Sequence, residues 1–199
     1  MQATEFQNAS DPLPYRVISD SDRPHVFTLS AVWEIPYGQG RHFGSSLPKP
    51  VNFILGGWQT NGTIVRQSGA PLGFGNALFV GDIHNIPLPK GQRSPDAWFN
   101  VNAGFNKITA QQLANNIQTF PTRFSGVRSD GQSTWNFSLL RNYKVGEHVT
   151  AQFRAEMYNA MNHPSFDVPN TSPANSSFGA VTAVVSEPRN WQFALKLMF

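Results

Sequence analysis

The chain contains no cysteine. Disulfide scaffolds, thiolate metal sites and cysteine nucleophiles are excluded together. Charge is scarce as well: 14% of the 199 residues are Asp, Glu, Lys or Arg, against roughly 25% in an ordinary soluble domain. The net formal charge of +3 is spread without a Lys/Arg cluster, so nothing marks a nucleic-acid partner. No run of about 18 apolar residues exists, which excludes a membrane-spanning helix. The first residues, MQATEFQNASDPLPYR, bring acids and prolines and lack the apolar segment of a secretory signal. Catalytic patterns are missing too. Gly38-x-Gly40 and Gly73-x-Gly75 do not continue as a dinucleotide loop opening a helix. No serine sits in GxSxG, and His25, His42, His84, His148 and His163 are scattered. We expect no enzyme, no metal site and no cofactor.

What the sequence does have is aromatic side chains, at 13%, and alternation. Five segments, 26–35, 52–67, 134–143, 148–161 and 190–199, alternate apolar and polar residues with a period of two, the pattern of a strand with one apolar face. In the fourth, Val149, Ala151, Phe153, Ala155 and Met157 oppose Thr150, Gln152, Arg154, Glu156 and Tyr158. A helix would spread both sets around its circumference. Residues 111–117 alone suggest a short helix, within a loop.

The links between these segments are unequal. A tight turn at 144–147 and a Gly/Pro-rich link at 36–50 alternate with long stretches at 69–132 and 162–187. In a meander this puts the long links at one end, as in outer-membrane barrels with short periplasmic turns and long external loops. About 10 residues at roughly 3.3 Å each, tilted by about 40°, also span the apolar band of such a barrel. A long structureless loop counts against a compact soluble domain. The expected fold is therefore all-β: an antiparallel up-and-down meander forming the C-terminal sector of a transmembrane β-barrel. Five strands do not close a barrel, for which about eight is the small end.

The last strand carries the most specific signal. Trp191, Phe193, Leu195, Leu197 and Phe199 alternate to the final residue. Soluble proteins usually blunt so apolar an edge. The pattern resembles the C-terminal signature that the assembly machinery of bacterial outer-membrane barrels reads.

A family resemblance follows. Phe153 to Pro164, FRAEMYNAMNHP, resembles the FRAEFFNxxNHP stretch near the end of certain TonB-dependent receptors. Pro188 to Phe199, PRNWQFALKLMF, resembles their PRxxQFALKLxF terminus, and Gly56-Gly57-Trp58-Gln59 with Gln67-Ser68-Gly69-Ala70-Pro71 resembles their GGWQ…QSGxP strand. Arg23-Pro24-His25 resembles the DRPH that precedes an earlier strand. These are the Oar-like receptors, whose complete chains carry a carboxypeptidase-regulatory-like domain. The resemblance implies an outer-membrane location and energy-coupled uptake of a ligand. The implied partners are outer-membrane lipid, the barrel-assembly machinery and, in a full-length receptor, a plug domain and TonB. Signal peptide and plug have no counterpart here, so residues 1–199 are expected to be the C-terminal part of such a barrel.

In that frame Gln59, Asn61, Thr63, Asn136, Gln152, Arg154, Glu156 and Lys196 line the lumen, either as a solvated wall or as contacts to a plug or ligand. Trp33, Trp58, Trp135, Tyr143, Trp191 and Phe199 are candidates for aromatic girdles, or for ordinary core. Two alternatives remain at this level. One is a soluble β-sandwich binding module, for carbohydrate among others, using Trp58, Trp98 or Trp135. The other is a small secreted hydrolase or lectin with its site in the loop 69–132, where Asp82 and Asp96 are the carboxylates to test.

Overall fold

The structure is a computed structural model and describes residues 2–89, 91–112, 117–118 and 120–199. Its elements are β1 (Gln2–Glu5), β2 (Tyr15–Ile18), β3 (Val26–Glu34), α1 (Lys49–Leu55), β4 (Trp58–Gln67), β5 (Pro71–Leu72), β6 (Phe124–Arg128), β7 (Gln132–Val145), β8 (Val149–Tyr158) and β9 (Asn190–Met198). Five strands form one sheet in the order β3-β4-β7-β8-β9, while β1-β2 and β5-β6 make separate ribbons. Within the large sheet, every strand lies beside the next one in the chain, which is a meander. The β7–β8 register runs antiparallel from Val145↔Val149 to Phe137↔Met157, and β8–β9 from Thr150↔Met198 to Tyr158↔Asn190. Ile35 N–H donates to Trp58 C=O at one end of the β3–β4 pair, and Ser68 N–H to His25 C=O at the other, both at 2.9 Å.

Four of the five expected strands match closely. The second does not. Residues 49–55 form α1, and the strand starts at Trp58. Pro50 stands in the first turn of the helix, where its fixed φ fits and its missing N–H costs nothing. Gly56 ends it with its N–H on Asn52 C=O at 2.9 Å. A Cβ at Gly56 would run into the Asn52 side chain and the Gly38 backbone, so the glycine is required by this close approach. The apparent alternation at 52–57 came from an apolar triplet, Phe53-Ile54-Leu55, read out of phase with the strand behind it.

The chain divides into two compact units. Phe27–Arg66, Ser133–Pro164 and Glu187–Phe199 make the sheet unit, and the residues up to Val26, Gln67–Gln132 and Ser165–Ser186 make the other. The second unit corrects the expectation of long unstructured loops. It contains β1, β2, β5 and β6 and a core of Leu72, Phe74, Ala77, Ile86, Trp98, Phe99, Phe105, Phe120, Phe124 and Val127. Its rings meet mostly edge to face: Phe74 with Phe99 at 4.9 Å, Phe99 with Phe178 at 5.2 Å and Phe105 with Phe178 at 5.1 Å. Each such pair contributes about 0.5–1.5 kcal/mol beyond its burial. Backbone bonds stitch distant segments together, with Trp98 N–H on Gly179 C=O and Val181 N–H on Pro95 C=O. The short helix expected over 111–117 falls on residues 113–116, which lie outside those described; a 3-10 turn, Thr109–Gln111, ends at its first residue.

Candidate functional site

Strand alternation places Gln59, Asn61 and Thr63 on one face of β4, and Asn136, Ser138 and Asn142 on the corresponding face of β7. Register extends this face across β8 and β9. Ser138 pairs with Glu156, Leu140 with Arg154 and Asn142 with Gln152. Gln152 in turn pairs with Lys196, Arg154 with Ala194 and Glu156 with Gln192. All eight sequence-predicted wall residues therefore share one face of one sheet.

Neighbouring polar groups on this face bond to each other. Gln152 Nε2 donates to Asn142 Oδ1 at 2.9 Å, and Gln59 Nε2 to Asn61 Oδ1 at 3.3 Å. Arg154 makes an ion pair with Glu156, two residues along the same strand. Tyr158 donates to the other Glu156 oxygen at 3.4 Å. A groove of about 230 Å³ brings together Asn61, Thr63, Asn136, Ser138, Glu156 and Tyr158. Gln59, Gln152, Arg154 and Lys196 lie outside it. Such a surface of amides, hydroxyls and one balanced ion pair hydrates well and presents donors and acceptors.

The opposite face is mainly apolar, and at its β3 and β9 edges it is exposed. Trp191, Phe193, Leu195 and Leu197 are exposed, as are Phe27, Leu29 and Trp33 on β3. Among the described residues of the sheet unit, no hydrophobic side chain is buried. A soluble sandwich would pack this face against a second sheet; among the described residues no second sheet covers it. The aromatics fall into two belts. Trp135 and Trp191 stand toward one end of the strands. Trp33, Trp58, Tyr143 and Phe199 stand toward the other, where Ile35 bonds Trp58 and β7 turns into β8.

Arg141 interrupts this face and was not foreseen as a functional residue. It pairs with Phe153 across β7–β8, so it belongs to the apolar stripe, yet it is 7% exposed. Its one sequence signal is a cation in the phase of Trp135, Phe137, Leu139 and Tyr143.

The second unit carries its own cleft, of about 480 Å³, walled by Tyr15, Val17, Ile18, Ile83, Pro87 and Phe124 with Arg16, His84 and Arg123 among its polar residues. Arg123 is ion-paired with Glu5. Asp82 and Asp96 are the carboxylates considered for hydrolysis. Asp82 accepts from His84 N–H at 2.9 Å and from its ring at 2.7 Å, which holds the carboxyl below its usual range. Asp96 sits in the tight turn closed by Ser94 and Ala97. Arg93 stacks 3.9 Å over Trp98, and burial lowers its affinity for the proton.

A family model described as an outer membrane beta barrel domain matches residues 2–192. No curated protein and no solved structure matches the chain.

Proposed function

The chain belongs to the outer membrane beta barrel domain family, and from that premise we propose that it is the wall of a TonB-dependent, Oar-like receptor that takes up a ligand at the expense of energy. The family places the chain in the outer membrane and its sheet in a barrel wall. The single observation that carries the finer reading is the two-faced sheet, polar on Asn61, Asn136, Gln152, Arg154 and Glu156, with an apolar face behind them that is exposed on β3 and β9. The receptor-like strand and terminus, FRAEMYNAMNHP and PRNWQFALKLMF, support it.

In this reading the polar face looks into the lumen, where it is wetted or touched by a plug. The apolar face meets lipid, and the aromatic belts sit at the two interfaces. The carboxyl end of β9 lies at the periplasmic rim, so the β7–β8 turn is periplasmic and the links 69–132 and 162–187 lie outside. Those links are the first surface a ligand meets, and the chain catalyses nothing. Its partners are lipid, the assembly machinery, a plug and TonB.

The test compares spent medium from cells with the gene, without it, and with the gene but without TonB. The proposal expects compounds depleted in the first case and left in the other two. Equal depletion with and without TonB would leave a passive pore in place of a receptor.

A further inference from the structure

α1 lies in the link from β3 to β4, at the end of the strands where β7 turns into β8. A barrel needs only a short turn there, so a helix calls for a reason. It packs on the apolar face of the sheet. The Phe53 ring is 4.8 Å from Tyr143, Trp58 Nε1 donates to Ile54 C=O at 2.9 Å, and Arg141 Nη2 donates to Asn52 C=O at 3.0 Å. Trp58 in turn meets Phe153 edge-on at 6.1 Å, which fixes all these groups to one side.

Arg141 is a cation on a stripe that faces hydrocarbon. Ionisable groups survive there only when covered or paired. Its guanidinium lies 4.5 Å from the Tyr143 ring centroid and 5.9 Å from those of Phe53 and Trp58. Its Nε and Nη1 are buried without a hydrogen-bond partner, so three aromatic faces and one helix carbonyl stabilise the charge. Phe53 and that carbonyl come from α1. Beyond this contact Val51, Phe53, Ile54 and Leu55 are exposed. They continue the belt of Trp33, Trp58 and Tyr143, and nothing else among the described residues buries them.

We propose that α1 is an interfacial membrane helix on the outside of the barrel. Val51, Phe53, Ile54 and Leu55 enter the acyl chains of the periplasmic leaflet, and Arg141 is the positioning residue that pins the helix to the wall. Helices of this kind lie in the membrane plane with the apolar side buried about 5–10 Å. The occupant is phospholipid because the same apolar face, a few residues along the strands, is the lipid-facing face of the barrel. The inference rests on the strand direction proposed above and is independent of what the receptor carries.

The chain has no cysteine, so Ile54→Cys provides a unique place for a polarity-sensitive fluorophore. The labelled chain is measured in vesicles of outer-membrane phospholipid containing nitroxide lipids, with Leu195→Cys and His42→Cys as references. Blue-shifted emission at position 54, quenched more by nitroxides near the headgroup than by those near the bilayer centre, is expected, with water-like emission at 42. Water-like, iodide-quenched emission at 54 while 195 remains lipid-quenched would overturn the helix proposal and leave the barrel standing. Water-like emission at both would overturn both. Protection at 54 that is lost on dilution with excess lipid would identify a second copy of the chain as the occupant and contradict the proposal. Adding Arg141→Gln should move emission at 54 toward that of water with 195 unchanged; no movement would remove Arg141 from the role.

Discussion

Phe99, in the unit built from the chain's long links, is 1% exposed, whereas Leu195, in the middle of a regular strand, is 70% exposed. The regular sheet holds no buried hydrophobic residue among those described, and the irregular unit holds the whole of the buried core. In water this arrangement is upside down, because area removed from water is the main stabilising term. In a bilayer the sheet has no such term to recover. Its strands satisfy their backbone groups by pairing, and hydrocarbon accepts the apolar face. The other unit has a core of its own, built largely from Phe and Trp rings.

The comparison breaks most visibly at Phe99. Phe99→Ala removes a ring that is in contact with Phe74 and Phe178 and should destabilise the aromatic unit by about 3–5 kcal/mol. Limited proteolysis should then cut within 67–132 while the sheet keeps its resistance to detergent and heat. Simultaneous loss of both would mean that the two units do not fold separately.

A charge on the lipid face comes next. Leu195→Arg should cost about 2–4 kcal/mol near the bilayer midplane, read as a lower urea midpoint for unfolding from phospholipid vesicles. At an exposed site in water the same change would stay within about 0.5 kcal/mol, and such a value would put Leu195 in water.

Asp22→Asn probes how the aromatic unit is tied. Asp22 accepts from Arg128 Nη2 at 2.7 Å, and Arg128 also donates to Gly69 C=O at 3.1 Å. Both side chains are mostly buried. Removing the carboxylate should lower the thermal unfolding midpoint of that unit, with no effect on assembly of the sheet.

The smallest effect is at Asp82. The backbone N–H of His84 and then its ring hold this exposed carboxyl below its usual range. A depressed carboxyl contributes above its unfolded pKa of about 3.9, and the contribution is lost as pH falls through the lower folded value. Exchange protection of the His84 amide should therefore persist down to about pH 4 and fall below it. Loss at a pH well above that would mean that the carboxylate does not hold this amide.

These contrasts also explain what could be read from the sequence. β7, β8 and β9 were legible because a sheet with one polar and one apolar face writes a period of two whatever lies beyond the apolar side. The shared polar face was legible for the same reason: once Gln152, Arg154 and Glu156 share a phase, register carries Asn142, Gln192 and Lys196 onto the same face. The aromatic unit was not legible. Phe74, Trp98, Phe105 and Phe124 meet through irregular backbone and leave no period. α1 was hidden by an apolar triplet that mimics a strand, although Pro50 and Gly56-Gly57 bracket it. Arg141 was passed over because its partner, the Asn52 carbonyl, belongs to that unforeseen helix.

The most direct measurement is a nitroxide scan from 191 to 198 in phospholipid vesicles, one cysteine at a time in a chain that has none. The account predicts oxygen accessibility high at Trp191, Phe193, Leu195 and Leu197, and accessibility to a water-soluble nickel complex high at Gln192, Ala194 and Lys196. Nickel accessibility at both sets, or oxygen maxima on the polar set, would contradict a lipid-facing sheet.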